Sequence, residues 1–316
     1  MNVQTVITGE VSRFGALASP ILWADTIGCR VPERWRKGRV QAVFERACHI
    51  VTDDRGFLAI LTGDCGNVAH GIRLKTRPRL NAHVRVGQHV SFADNRITFG
   101  SQNLTVELAD AEAWQSELRP GLFDNGLRLG NHATIARQLL TQAAARSDSE
   151  FLKLVARLDM PSTPLADLVG RQLAPLKTAQ RSRDHASALA TLANLIGLGP
   201  GLTPAGDDFI IGWLAGLTLS ASTADAKLFL QEMCEGVADR RHATTTVSAQ
   251  HLDDACQLQF SERLSNLCIA IGRDRSDTDL RALIDAQLAI GATSGADAAA
   301  GLMFALSDLA RDGDSD

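Results

Sequence analysis

GLGPGLTPAGDDFIIGWLAG (197–216) is the stretch on which the reading of the chain turns. Gly197, Gly199 and Gly201 follow an apolar helical run ending near Ile196, and each is able to adopt positive φ or admit a close backbone neighbour. Thr203 then stands where an N-cap hydroxyl is wanted, and Pro204 where the first helical residue needs no N–H. Asp207 and Asp208 fall in the opening turns, where negative charge suits the helix dipole, and Phe209, Ile210 and Leu214 lead into a core. The segment reads as a tight glycine turn feeding a buried helix.

Outward from this segment the helical spacing continues in both directions. HATIARQLLTQAAA (132–145), FLKLVARL (151–158), HASALATLANLIGL (185–198), AKLFLQEMCEGVAD (226–239), DLRALIDAQLAI (279–290) and DAAAGLMFALSDLA (297–310) repeat apolar residues at three and four. Pro161, Pro164 and Pro175 break the middle of this region and mark connections. Before about residue 115 the pattern changes to short runs rich in Val, Ile and Phe between turn-formers. VQAVFERACHIV (40–51), FLAILTG (57–63), HVRVGQHVSF (83–92), RITFG (96–100) and NLTVELA (103–109) predict an antiparallel sheet, curled into a small barrel in one version. WQSELRPG (114–121) is the candidate linker. The expected fold class is α+β, with a β-rich domain over 1–120 and a larger α-helical domain over 121–316.

Composition narrows the function classes. At 316 residues, 45% hydrophobic and 22% charged, the chain buries a real core and is neither disordered nor fibrous. With a net charge of −4, 5% aromatic residues and no Tyr, it lacks a general nucleic-acid platform. Six cysteines without paired metal spacing point to reduced, mostly buried thiols. MNVQTVITGEVSRFG carries no export signal and no apolar run reaches membrane-spanning length, so the expectations are a cytoplasmic protein and no membrane contact.

The glycine segment supports two readings. Free N–H groups at a helix mouth cradle phosphate or carboxylate, with Gly199, Gly201, Leu202 and Thr203 lining the turn. Alternatively, the glycines only let two helices pack closely at a corner. The segment lacks the Gly-Lys-Ser/Thr ending of a P-loop, and its flanks read helical where a dinucleotide fold needs a strand. Asp207 binds a divalent ion or orients a nucleophile while Asp208 supports the loop, or the two exchange roles. GATSGADAAAG (291–301) echoes the motif, aligning Gly291 with Gly201, Thr293 with Thr203 and Asp297 with Asp207, and adding Ser294 and Gly295. The alternative is coincidence in a Gly/Ala-rich chain.

RRHATTTVSAQHL (240–252) lies between the two copies. Thr244, Thr245, Thr246 and Ser248 supply either site hydroxyls or a plain N-cap, and His251 falls one helical face from Ser248. His132, entering the first long helix, is a further supporting candidate. Arg73, Lys75, Arg77, Arg79, Arg85 and Arg96 read as a solvated sheet face in preference to an anion-attracting one.

Taken together, GLGPGLTPAGDDFIIG, TTTVSAQHL and GATSGADAAAG resemble a bacterial family long catalogued as a domain of unknown function. Its members include a subunit associated with oxamate carbamoyltransferase in anaerobic allantoin breakdown. The resemblance covers mainly residues 120–305, and this chain has Ala205 where the family often has Ser. It implies assembly with other enzyme subunits that interconvert oxalurate and phosphate with oxamate and carbamoyl phosphate. On that basis Asp207, Asp208 and Asp297 are the expected catalytic residues, and Asp207 and Asp208 would hold Mg²⁺. Thr203 and Thr293 would assist the amides on a small phosphate, carbamoyl or carboxylate ligand. Two other readings stay open: a non-catalytic module binding a small carboxylate, and an assembly subunit whose glycines only pack helices.

Overall fold

The computed structural model describes residues 20–307, apart from 34, 55, 101–103, 123–125, 274–276 and the side chains of 126–132 and 277. The first half is a closed barrel. Its strands are β1 (Ile21–Gly28), β2 (Lys37–Val43), β3 (Ala47–Thr52), β4 (Phe57–Leu61), β5 (Gly71–Leu74), β6 (His89–Ala93), β7 (Arg96–Phe99) and β8 (Leu104–Glu107). They neighbour one another in the order β5-β4-β3-β2-β6-β7-β8-β1, and β1 closes the ring by pairing antiparallel with β5. A ninth strand, β9 (Glu112–Trp114), runs parallel to β1 at Thr26–Gly28, continuing the ladder that β8 makes with Ile21–Trp23. Closure removes the open edges that a sheet of this length would otherwise present.

Alternation fills the interior with Val40, Cys48, Ile50, Leu58, Ile60, Ile72, Val90, Ile97, Phe99 and Val106. All five residues of β4, FLAIL, are buried, because its outer face lies under the helical half. Two runs were divided differently by sequence. Residues 40–51 form a hairpin that turns at 44–46, not one strand. In 83–92 only the part from His89 is strand, preceded by the short helix α1 (Leu80–His83). β1, β5 and β9 were not anticipated: β1 carries Asp25 and Thr26 mid-strand, and the other two span four residues or fewer. The basic stretch is not one strand face either, since β5 ends at Leu74 and Arg73 is paired with Asp25 and Glu262.

The second half contains α2 (Gly126–Ala144), α3 (Glu150–Val155), α4 (Pro164–Ser182), α5 (His185–Ala193), α6 (Ala205–Ser220), α7 (Ala224–Arg240), α8 (Thr246–Cys256), α9 (Glu262–Gly272), α10 (Asp277–Leu288) and α11 (Ser294–Leu306). Pro161 lies in the connection between α3 and α4 as expected, but Pro175 does not break its helix. Pro164 occupies the first turn of α4 behind the Thr163 cap, and Pro175 lies inside the helix on its exposed side, where solvent serves the carbonyl left unpaired.

Two helices, α6 and α11, form the centre and are buried almost all round. Their contacts are reciprocal. A methyl group added to Gly212 would lie 1.7 Å from the Ala298 carbonyl oxygen, and one added to Gly301 would lie 1.9 Å from that of Phe209. Phe209 precedes Gly212 by three residues, as Ala298 precedes Gly301. Further along, Gly216 faces Ala305, while Thr203 and Ser294 touch at the opposite end, so the two helices run parallel. The pair is a pseudo-two-fold unit joined backbone to backbone.

The barrel docks on α8 and α9 through polar groups. His70 hydrogen-bonds Asp254, and Arg30 pairs with Asp253 and Asp254. The Asn67 N–H donates to Glu262 at 2.8 Å, and Ser116 meets Ser265 at 2.8 Å.

Candidate functional site

Because α6 and α11 are parallel, their N-termini lie side by side, and two positive helix ends meet in one place. Each is entered through a glycine turn. Gly199 has φ of 116° and its added Cβ would meet the Ala205 N–H at 2.9 Å, so only glycine fits without displacement. Gly201 has φ of 98° with open space around it, and on the other side Gly291 has φ of 60°. Gly201, Leu202, Gly291 and Ala292 are exposed, whereas Thr203, Thr293 and Ser294 are half-buried beneath them. The Thr203 and Ser294 hydroxyls are 2.9 Å apart and bridge the mouths. Thr203 is not the cap expected of it: Pro204 takes that position, freeing the hydroxyl to face across.

Three carboxyls lie below, all buried. Asp207 accepts from the Gly197 N–H at 2.8 Å, from the Ser248 hydroxyl at 2.7 Å and from the Thr244 hydroxyl. Both of its oxygens are engaged, tying the α5–α6 turn to the start of α8. Burial nonetheless raises this carboxyl above the usual range. Asp208 lies beneath the Ser294 and Thr203 hydroxyls, and its Oδ2 has no hydrogen-bond partner among the described residues. Burial above all, with the neighbouring Asp297 and Asp207, holds it well above the ordinary carboxyl value. Asp297 accepts from Ser149 at 2.5 Å and has the same unpartnered Oδ2, and burial pushes it up to about 6.

The helix starts and glycine contacts shift the internal alignment by one residue. Ala205 opens α6 as Ser294 opens α11, so Gly206 corresponds to Gly295, Gly212 to Gly301 and Asp208 to Asp297. Asp207 then matches Ala296. The later glycines, out of step by one in the sequence alignment, fall into register. Gly295 serves packing: its added Cβ would lie 1.9 Å from the Gln287 carbonyl oxygen, and its N–H donates to the Ile290 carbonyl.

Other candidates are placed around this centre. Thr245 caps α8, and its hydroxyl also donates to the Leu202 carbonyl. Thr246 is exposed on the first turn of α8. His251 faces the barrel, its ring 4.7 Å from that of His70, and burial pushes it down to about 3. His132 lies outside the described side chains. Ser149, which caps α3 and holds Asp297, was missed, since an isolated serine far from the motif gives no sequence signal.

Comparison with known families matches residues 195–306 to the oxamate carbamoyltransferase subunit AllH and residues 23–113 to the AllH family N-terminal domain. The chain belongs to the AllH family. The matched stretches coincide with the barrel and with α6 through α11, including both mouths. Membership makes it one of a family of carbamoyltransferase subunits. No solved structure matches. Among the described residues, no helix is long and apolar enough to cross a membrane.

Proposed function

We propose that the paired mouths of α6 and α11 hold the anionic substrate of a carbamoyltransferase assembly whose other subunits complete the site. The observation carrying this is the juxtaposition of two helix N-termini, bridged at Thr203–Ser294 and entered through exposed glycine turns. Each terminus contributes roughly half a positive charge, and the two add at one point. Phosphate or carbamoyl phosphate oxygens would sit over Gly201 and Gly291 with the Thr203, Thr293 and Ser294 hydroxyls as donors.

In the direction that consumes oxalurate, a phosphate oxygen attacks the carbamoyl carbon, the C–N bond breaks, and the departing oxamate nitrogen takes up a proton. Asp208 is the acid for that transfer, because burial holds its carboxyl well above the ordinary range, while Asp297, at about 6, is mostly ionised at neutrality and takes up a proton only as the pH falls. Mg²⁺ fits the residues poorly. Both Asp207 oxygens already accept protein donors, and among the described residues no three His, Cys, Asp or Glu converge on a metal position. The proton-transfer role therefore rests on the chain's own carboxyls.

One observation favours a non-catalytic carboxylate-binding or assembly role instead: the Gly206 and Gly295 N–H groups already bond the Leu198 and Ile290 carbonyls. Calorimetric titration of phosphate, carbamoyl phosphate and oxamate, with turnover measured after reconstitution with the partner subunits, separates the readings. Thr203→Val and Ser294→Ala should each weaken phosphate binding about tenfold, the worth of one lost hydrogen bond to a charged ligand. Binding without turnover in the complete assembly supports the carboxylate module. Unchanged binding in both variants removes the site from the mouths.

A further inference from the structure

A second chemical feature lies away from the mouths, in the cleft between α7 and α8. It encloses about 370 Å³ and is lined by Lys227, Leu230, Cys234, Glu235, Cys256 and Leu258 among others. Cys234, in the second half of α7, and Cys256, the last residue of α8, both open onto it as neighbours. The other four cysteines are free as well, Cys29 exposed and Cys65 half-buried on the barrel, Cys48 and Cys268 buried.

We propose that Cys234 and Cys256 form a dithiol site that closes to a disulfide in exchange with low-molecular-weight disulfides admitted by the cleft. The Cys234 sulfur attacks one sulfur of the small disulfide RSSR, giving a mixed disulfide on Cys234 and releasing RS⁻, which leaves as RSH. Cys256 then gives up its proton and attacks the Cys234 sulfur, releasing a second RSH. The protein is oxidised by two electrons and the small disulfide is reduced by two. The bond would tie α7 to the C-terminal end of α8, the helix whose N-terminal end holds Asp207 through Ser248.

The test treats the full chain with oxidised glutathione at mildly alkaline pH, alkylates the remaining thiols under denaturing conditions, and maps the peptides without reduction. The expected result is a Cys234–Cys256 link with two of the six thiols lost to it. Cys256→Ser and Cys234→Ser should each stop at a glutathione adduct on the cysteine that remains in the cleft. Adducts confined to Cys29 and Cys65, with Cys234 and Cys256 both fully alkylated, overturn the proposal. So does a stable glutathione adduct on Cys234 in the unmutated chain.

Discussion

The mouths of α6 and α11 share one geometry but differ in what their acids do. Asp208 and Asp297 occupy equivalent places, each with an oxygen unpartnered among the described residues, whereas Asp207 has only Ala296 opposite it. The α6 side thus carries an extra carboxylate whose full set of donors links the mouth to α8. Adjacent aspartates in one motif differ in this way: Asp207 fastens the scaffold, and Asp208 keeps an oxygen without a partner among the described residues. The glycines divide in the same way. Gly212 and Gly301 permit backbone contact in the core, while Gly199, Gly201 and Gly291 shape the entrance.

The comparison breaks most visibly at the core glycines. Gly212→Ala and Gly301→Ala should each cost about 3 kcal/mol or more in urea denaturation, since the added methyl has nowhere to go and the helices must separate. A loss under about 1 kcal/mol in either would dissolve the pseudo-two-fold contact. Asp207→Ala should cost about 2–3 kcal/mol by leaving three donors unmatched, and hydrogen exchange should quicken at the start of α8.

Asp297→Asn carries the opposite sign. Its folded carboxyl, near 6 against an unfolded value of 3.8, holds its proton more tightly in the native state. The stabilisation this represents is full below about pH 4 and disappears as pH rises through 6, leaving an ionised buried group. Asn avoids that ionisation, so the variant should gain about 2 kcal/mol at pH 8 and nothing at pH 4. Equal gains at both pH values would mean that Asp297 is not the titrating group.

At the barrel junction the sign reverses again. Burial holds His49 down to about 4 and His251 down to about 3, so protons bind the unfolded chain first and stability falls as pH drops below 6.5. The slope should reach about 1 kcal/mol per pH unit for each ring, and His49→Phe should flatten it in melts between pH 6.5 and 4.5. The smallest effect belongs to Gly201→Ala, about 1 kcal/mol, because only its positive φ objects and the space is open.

Much of this was legible in the residues. The change from short β-rich runs to helical spacing gave the α+β class, and GLTPAGDDF announced a helix mouth. Barrel closure was not readable, because it rests on β1 and β5, whose pattern is interrupted by Asp25, Thr26 and Arg73. The register of the repeat was hidden as well. Asp207 and Asp208 are chemically identical letters, and only the backbone contacts of Gly212 and Gly301 decide which one matches Asp297. His251 looked like a neighbour of Ser248 along one helix face, but its ring is engaged by His70 from the barrel, a partner far away in sequence.

The central claim, that the two mouths together hold the anion, is tested most directly by a crystal structure of the chain soaked with carbamoyl phosphate. The account predicts phosphate density between residues 201–203 and 291–294, within hydrogen-bond reach of the Thr203 and Ser294 hydroxyls. Well-ordered ligand bound elsewhere, with the mouths unchanged and holding only water, would contradict it.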